Sequence, residues 1–379
     1  SGYVDHRGKI TARTDWQKHR GLLDKAKTKV AAVSGKFSVR NPENEYVLAA
    51  ELQDCGYEKI FLGSELSGEL NFVRRTNSAY FAAAVYKTFK NFCRQVQDSL
   101  KERNITAPVH VLKADGGTLP LDIALKQPVE TIFTGPAASV LGIEALGAPQ
   151  VKSISLDVGG TTTDIAFWEN GLPLLAGHGA KVAGYPTAVR SFHMRSVGIG
   201  GDSRIRRTET SFEVGPERIG PAMAVGGCEP TLSDALIVAG RVGFGDKAAA
   251  HKGMQQLCLM GETAAEVAMQ VVEAAVSVIE ATINEMLHEW SIQPVYTVND
   301  VIKGTEFEPE LLVGVGGGAA GLIMALGERM GLPVEIPAGA TVANAVGSGG
   351  RGTCPADFSC QSAGRYYGRI LSDPGERTA

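Results

Sequence analysis

Apolar and polar positions along the chain alternate between two periods. Residues 30–39 alternate as a strand does, with Val30, Ala32, Phe37 and Val39 apolar. Asn41 and Pro42 then mark a helix start, as cap and first helical residue, and Gly56 closes a helix over 43–55. Residues 59–63 read as a short buried strand. Strand, helix and strand in succession predict a parallel α/β layer, so the fold class is α/β. Residues 78–103 carry an apolar stripe at helical spacing: Phe81, Val85, Phe89, Phe92, Val96 and Leu100. That stripe is expected to be a core face. A strand over 109–113 runs into Asp115-Gly116-Gly117, either a ligand edge or a plain turn. Residues 131–142 read as a linker followed by a helix. A second long helix is expected over 262–290, with Val267, Val271, Ala275, Val278, Ile283 and Leu287 inward. A short helix over 235–239 can be capped by Thr231, Ser233 or Asp234. A buried strand over 311–315 leads through glycines into a helix ending at Met330. A strand over 334–336 and a small-residue helix over 340–347 follow. A helix is also expected near 15–26.

The chemistry concentrates in residues 155–171. A buried strand reaches Asp157, the chain turns through Gly159, Gly160, Thr161, Thr162 and Thr163, and a second apolar run leaves through Asp164. Asn170-Gly171 closes that run. Glycines let backbone N–H groups approach an anion, and threonine hydroxyls add donors. The two acids suit a hydrated divalent cation bridging to phosphate. A nucleotide-phosphate loop is the functional reading, and a tight hairpin with a polar tip is the bland one. A second glycine turn holds Gly200, Gly201, Asp202 and Ser203. Gly316, Gly318 and Gly321 match GxGxxG after a strand, with Glu335 ending the next, so a dinucleotide site competes.

Composition narrows the function class. Lys and Arg total 37 against 41 Asp and Glu, giving a formal charge of −4 with the basic residues dispersed. Neither a nucleic-acid binder nor a membrane-surface protein is expected. No apolar run is long enough to span a bilayer, and the six cysteines form no CxxC, so a cytoplasmic protein with reduced thiols is expected. There is no GxxxxGK[ST], HExxH or GxSxG. His178 and His193 lie nearest the threonine loop in sequence, as packing residues or general bases. The chain opens on Ser1 in charged, irregular sequence, which suggests a piece of a longer protein.

LDVGGTTTD, LLVGVGGGAAG and ATVANAVGSGG together resemble the phosphate, adenosine and closing-helix motifs of the actin-like ATPase superfamily. TGPAASVLGIEALG, SISLDVGGTTTDIA, SVGIGGDS, VGPERIGPAMAVGG and EPTLSDALIVAG resemble, in order, the hydantoinase A / 5-oxoprolinase branch. The resemblance implies two ribonuclease-H-like lobes, the first incomplete: a partial lobe over 1–133, an ATP-binding lobe over 134–350, and a weakly ordered tail over 351–379. It implies ATP and Mg²⁺ as cofactors. Asp157 and Asp164 would organise the metal and the catalysis. Gly159, Gly160, Thr161, Thr162 and Thr163 would hold phosphate, and Gly200, Gly201 and Ser203 would join them in binding the nucleotide. Gly316, Gly317 and Gly318 would lie against adenosine. The implied reaction is ATP-dependent opening of a cyclic amide, of hydantoin or 5-oxoproline type. The alternatives are a subunit of an ATP-dependent ketone carboxylase with a B-type partner subunit, or a nucleotide-binding module inactive alone.

Three departures stand out. No second DxGGTxTD hairpin precedes Asp157, so this stretch alone is expected to hydrolyse ATP poorly or not at all. Asp202 stands where the family commonly has glycine. Met223 follows Pro221-Ala222 where the family has cysteine, so no thiol or metal role carries over there.

Overall fold

The computed structural model describes residues 2–13, 15, 21, 28–292 and 307–353. Most of the helix expected near 15–26 and most of the expected tail lie outside the described residues. The chain divides into two compact units: Ser1–Ala137 with Leu175–His193, and Ala138–Leu174 with Met194–Ala379.

In the first unit, strands β1 (Val30–Val33) and β2 (Lys59–Leu62) pair in parallel, joined by helix α1 (Glu43–Asp54) as the crossover. The Asn41 carboxamide accepts the Glu43 N–H at 3.0 Å, which turns the chain into α1. Helix α2 (Phe72–Glu102) packs across both strands, and Asn71 caps it by accepting the Arg74 N–H at 3.2 Å. Its buried line is Arg75, Ser78, Ala79, Ala82, Tyr86 and Cys93, not the expected aromatic stripe. Phe92 is 52% exposed, and Phe81, Val85, Phe89, Val96 and Leu100 are half-buried or exposed beside that line. Small side chains let the helix backbone approach the two strands, so alanines occupy the contact and the phenylalanines flank it.

Strands β3 (His110–Leu112) and β4 (Thr118–Pro120) form an antiparallel hairpin, which makes Asp115-Gly116-Gly117 its turn. Asp115 accepts the Gly117 N–H at 3.1 Å and pairs with Lys113 at 3.4 Å. Lys113 also pairs with Glu130 at 3.2 Å. The acid at this turn is thus engaged in structure. Nothing in the sequence signals that Leu175–His193 belongs with this unit, which takes the Ala188 N–H onto Ser78 Oγ (2.9 Å) and the Phe192 N–H onto the Ala114 carbonyl (3.0 Å).

Helix α3 (Thr134–Gly147) leads into the second unit. There, β5 (Ser153–Val158), β6 (Thr163–Glu169) and β7 (Met194–Val197) form an antiparallel meander. After β8 (Ser203–Arg207), β9 (Phe212–Arg218), helix α4 (Leu232–Val238) and helix α5 (Ala264–Ser291) come β10 (Leu311–Val315), helix α6 (Ala319–Met330) and β11 (Val334–Glu335). β10 runs parallel to β5 on one side and to β11 on the other. The sheet order is therefore β7-β6-β5-β10-β11, and Leu172–Pro173 pairs with the end of β6. Three antiparallel strands followed by two parallel ones is the ribonuclease-H-like order. A dinucleotide fold would need a second parallel half, and among the described residues none follows β11.

Alternation along β5 and β6 sends Ile154, Leu156, Val158, Ile165 and Phe167 into one large core with α4, α5 and α6. α5 contributes Val267, Val271, Ala275, Ile279 and Ile283, while Val278 is 47% exposed and so is not on the expected face. A reciprocal Thr263–Glu266 capping box starts α5, and Thr231 with Asp234 does the same for α4. The other sheet face carries Ser155, Asp157, Asp164, Ala166 and Trp168, and Trp168 Nε1 donates to Ser155 Oγ at 2.8 Å.

Candidate functional site

The register of the meander puts Asp157 of β5 directly opposite Asp164 of β6, and Asp164 opposite Ser196 of β7. Like charges directly opposed on a sheet destabilise it. Burial raises the Asp164 carboxyl to about 6; the Ser196 hydroxyl opposes this and the Asp157 charge adds to it. Asp164 Oδ1 is buried with no hydrogen-bond partner. Asp157 is held from its other side: Ser139 of α3 donates to Oδ2, and Asn344 of helix α7 (Ala343–Thr353) donates to Ser139 Oγ at 2.9 Å. Sequence reasoning missed Ser139, Ser196 and Asn344. Ser139 and Asn344 lie inside two of the quoted motifs, yet 205 residues separate them.

Among the described residues no group of three or more His, Cys, Asp or Glu side chains could hold a metal ion. Two facing carboxylates with one orphaned oxygen do fit a cation that keeps several waters and takes its other ligands from phosphate, as Mg²⁺ does.

Above this pair the hairpin tip closes on itself, the Gly159 N–H donating to the Thr162 carbonyl at 2.9 Å. Gly160 and Thr161 are exposed, and Gly159 and Thr162 are half-buried. Thr163 is fully buried and gives its hydroxyl to the Ile199 carbonyl at 2.7 Å, which ties the tip to the second glycine turn. That turn docks by backbone alone: Gly201 N–H to Gly159 O at 2.9 Å, and Asp202 N–H to Gly160 O at 2.7 Å. A Cβ at Gly200 would lie 2.6–2.7 Å from the Gly160, Thr161 and Gly159 backbone, so only glycine permits this approach. Ser203 is buried, and its Oγ accepts the Gly200 N–H at 2.8 Å.

The third glycine turn follows β10. Gly316 has φ +96°, and a Cβ there would collide with Asp157 Oδ1 and the Val158 carbonyl. The Gly318 N–H donates to Val158 O at 3.2 Å, whereas Gly317 faces open space. All three glycine turns thus gather at the end of β5 and β10, around the facing acids. Ligands bind beyond the carboxyl ends of parallel strands in open α/β sheets. His178 and His193 belong to the first unit.

Asp234 is a further residue whose role the sequence hides. Fully buried, it accepts N–H bonds from Met223 (2.9 Å), Ala224 (2.8 Å) and Thr231 (2.9 Å). It clamps the turn that carries Met223, where the family would have cysteine. Cys55, Cys93, Cys228 and Cys258 are free thiols. No helix among the described residues is long and apolar enough to cross a membrane.

Comparison with known proteins agrees with this architecture. The ATP-dependent caprolactamase of Pseudomonas jessenii superposes with a TM-score of 0.67 at 20% identity, over 92% of this chain and 52% of that one. The acetophenone carboxylase gamma subunit of Aromatoleum aromaticum is 24% identical over 298 residues, covering 72% of this chain and 40% of the relative. The 5-oxoprolinase of Saccharomyces cerevisiae is 25% identical over 221 residues, covering 56% of this chain and 17% of the relative. The chain therefore spans about half the length of the matched structure and less of these curated relatives. Residues 75–350 match the hydantoinase/oxoprolinase family, and the chain belongs to it.

Proposed function

We propose that this chain contributes the nucleotide-binding lobe of an ATP-dependent enzyme that opens a cyclic amide. The observation that carries the reading is the gathering of three glycine turns around two opposed carboxylates, one with a buried unpaired oxygen. An unstrained lactam is a poor electrophile; phosphorylating its carbonyl oxygen makes the ring carbon electrophilic toward water, C–N cleavage of the adduct opens the ring, and the acyl phosphate left behind hydrolyses to the acid and phosphate, so coupling ring opening to ATP is chemically reasonable. Phosphoryl transfer needs mainly positioning and charge neutralisation.

The residues divide this work. Asp157, fixed by Ser139 and Asn344, and Asp164, fixed by Ser196, would hold Mg²⁺. The ion would neutralise phosphate charge when bound. The exposed backbone of Gly160 and Thr161, with the Thr161 and Thr162 side chains, would receive phosphate oxygens. Thr163, Gly200, Gly201 and Ser203 would shape the loop, and Gly316 to Gly318 would face the nucleoside. The lactam-directed names of the caprolactamase and 5-oxoprolinase support the amide reading.

A second reading is a subunit of an ATP-dependent ketone carboxylase working with a B-type partner. The carboxylase gamma subunit supports it, because that match extends over 72% of this chain. Incubating the complete enzyme with ATP, Mg²⁺ and hydantoin, 5-oxoproline or acetone separates the two. Phosphate release coupled to a ring-opened acid supports the first, and bicarbonate-dependent carboxylation of the ketone only when a partner is added supports the second. ATP turnover stimulated by none of these compounds would count against both.

A further inference from the structure

The second glycine turn carries an acid that the phosphate reading leaves unexplained. Asp202 donates its N–H to the Gly160 carbonyl at 2.7 Å, and its Oδ2 lies 3.0 Å from where a Cβ on Gly160 would sit. Its carboxylate therefore lies over the exposed tip of the loop. Asp157 and Asp164 already stand below that tip. A third negative charge there would repel a polyphosphate unless a cation accompanied it.

Arg218 is that cation. It ends β9, and the antiparallel register sets it opposite Ser203, the residue after Asp202. Its Nε donates to Asp202 Oδ2 at 3.0 Å, and its Nη2 stands 2.8 Å from the same oxygen as an ion pair. The Arg218 side chain is about half exposed, while the Asp202 side chain is mostly covered. A guanidinium has five N–H donors in a fixed fork, and this ion pair engages two of its nitrogens, both toward one oxygen. The remaining donors are free to take a second, stronger anion.

Resting on the nucleotide reading above, the geometry points to Arg218 as a ligand for the distal phosphate of a nucleoside triphosphate, held at the loop tip by Asp202 as a positioning residue. Without nucleotide, the aspartate parks the guanidinium over Gly160. With nucleotide, Arg218 shares its donors with the terminal phosphate oxygens.

A double-substitution series on the complete chain tests this, with binding of ATP, ADP and AMP measured by calorimetry in Mg²⁺. Arg218→Ala weakens ATP by about tenfold or more, the ordinary worth of a charge-assisted hydrogen bond, and leaves AMP within about twofold. Arg218→Lys retains part of the ATP affinity. Asp202→Gly weakens ATP less than Arg218→Ala does, and Asp202→Gly with Arg218→Ala binds ATP better than Arg218→Ala alone, because the uncompensated carboxylate is gone. Melting temperatures without nucleotide report whether each variant folds. Unchanged ATP affinity in Arg218→Ala overturns the inference. So does an equal loss for AMP and ATP, which would make the pair a structural clasp. Failure of the unsubstituted protein to bind ATP removes the inference and the nucleotide reading together, whereas ATP binding that ignores Arg218 removes the inference alone.

Discussion

Replacing Asp164 with asparagine should stabilise the protein and disable its site. The Asp164 carboxyl ordinarily titrates near 3.8 and is pushed up to about 6 in the fold, chiefly by burial. At about 1.4 kcal/mol per pH unit, ionising it in the native state costs about 3 kcal/mol. The sign follows from where the proton sits. Below 3.8 both folded and unfolded chains are protonated and there is no penalty. Between 3.8 and about 6 the unfolded chain releases its proton while the folded chain keeps it, so stability falls as pH rises. Above about 6 the whole penalty is present. An asparagine side chain at this position would carry no charge, and its amide could donate toward Asp157 across the strand pair. Urea unfolding with chelator present, followed by tryptophan fluorescence, to which buried Trp168 contributes, should therefore find Asp164→Asn more stable by about 2–3 kcal/mol at about pH 8. The gain should shrink toward zero as pH drops from about 6 to about 4. Adding Mg²⁺ and ATP should stabilise the unsubstituted protein by mass action and the variant much less. A variant less stable than its parent at about pH 8, or a difference that ignores pH, would refute the reasoning.

Two other perturbations probe the frame around the acids. Gly200→Ala drives a methyl into the Gly159–Thr161 backbone and should cost about 1–3 kcal/mol in urea unfolding together with much of the ATP affinity. Gly317→Ala, which meets open space, should stay within about 0.5 kcal/mol of the parent. Asp234→Ala strands three backbone N–H groups and removes half of a capping box, so it should cost about 3 kcal/mol, measured the same way.

The local half of this architecture is legible in the sequence. Alternation and Asn-Gly place β5 and β6, and the antiparallel pairing that follows opposes Asp157 to Asp164. Helical periodicity finds α5, with Val278 misassigned by one face. The aromatic stripe of α2 misleads for a physical reason: a hydropathy pattern ranks phenylalanine above alanine, while close approach to β1 and β2 selects alanine. What the sequence hides is long-range. Ser139 and Asn344 meet across two helices, Arg218 reaches Asp202 through a strand register, and Leu175–His193 leaves the second unit altogether. None of these has a periodic or spacing signal, because each depends on how finished elements pack.

The most direct test of the nucleotide lobe is amide hydrogen exchange of the complete chain, alone, with MgATP, with ATP and chelator, and with NAD. MgATP should slow exchange together at 157–164, 199–203 and 316–318, and the chelator should release most of the protection at 157–164. Protection by NAD confined to 316–321, or no change in the threonine hairpin with MgATP, would contradict the assignment of these three turns to one ATP site.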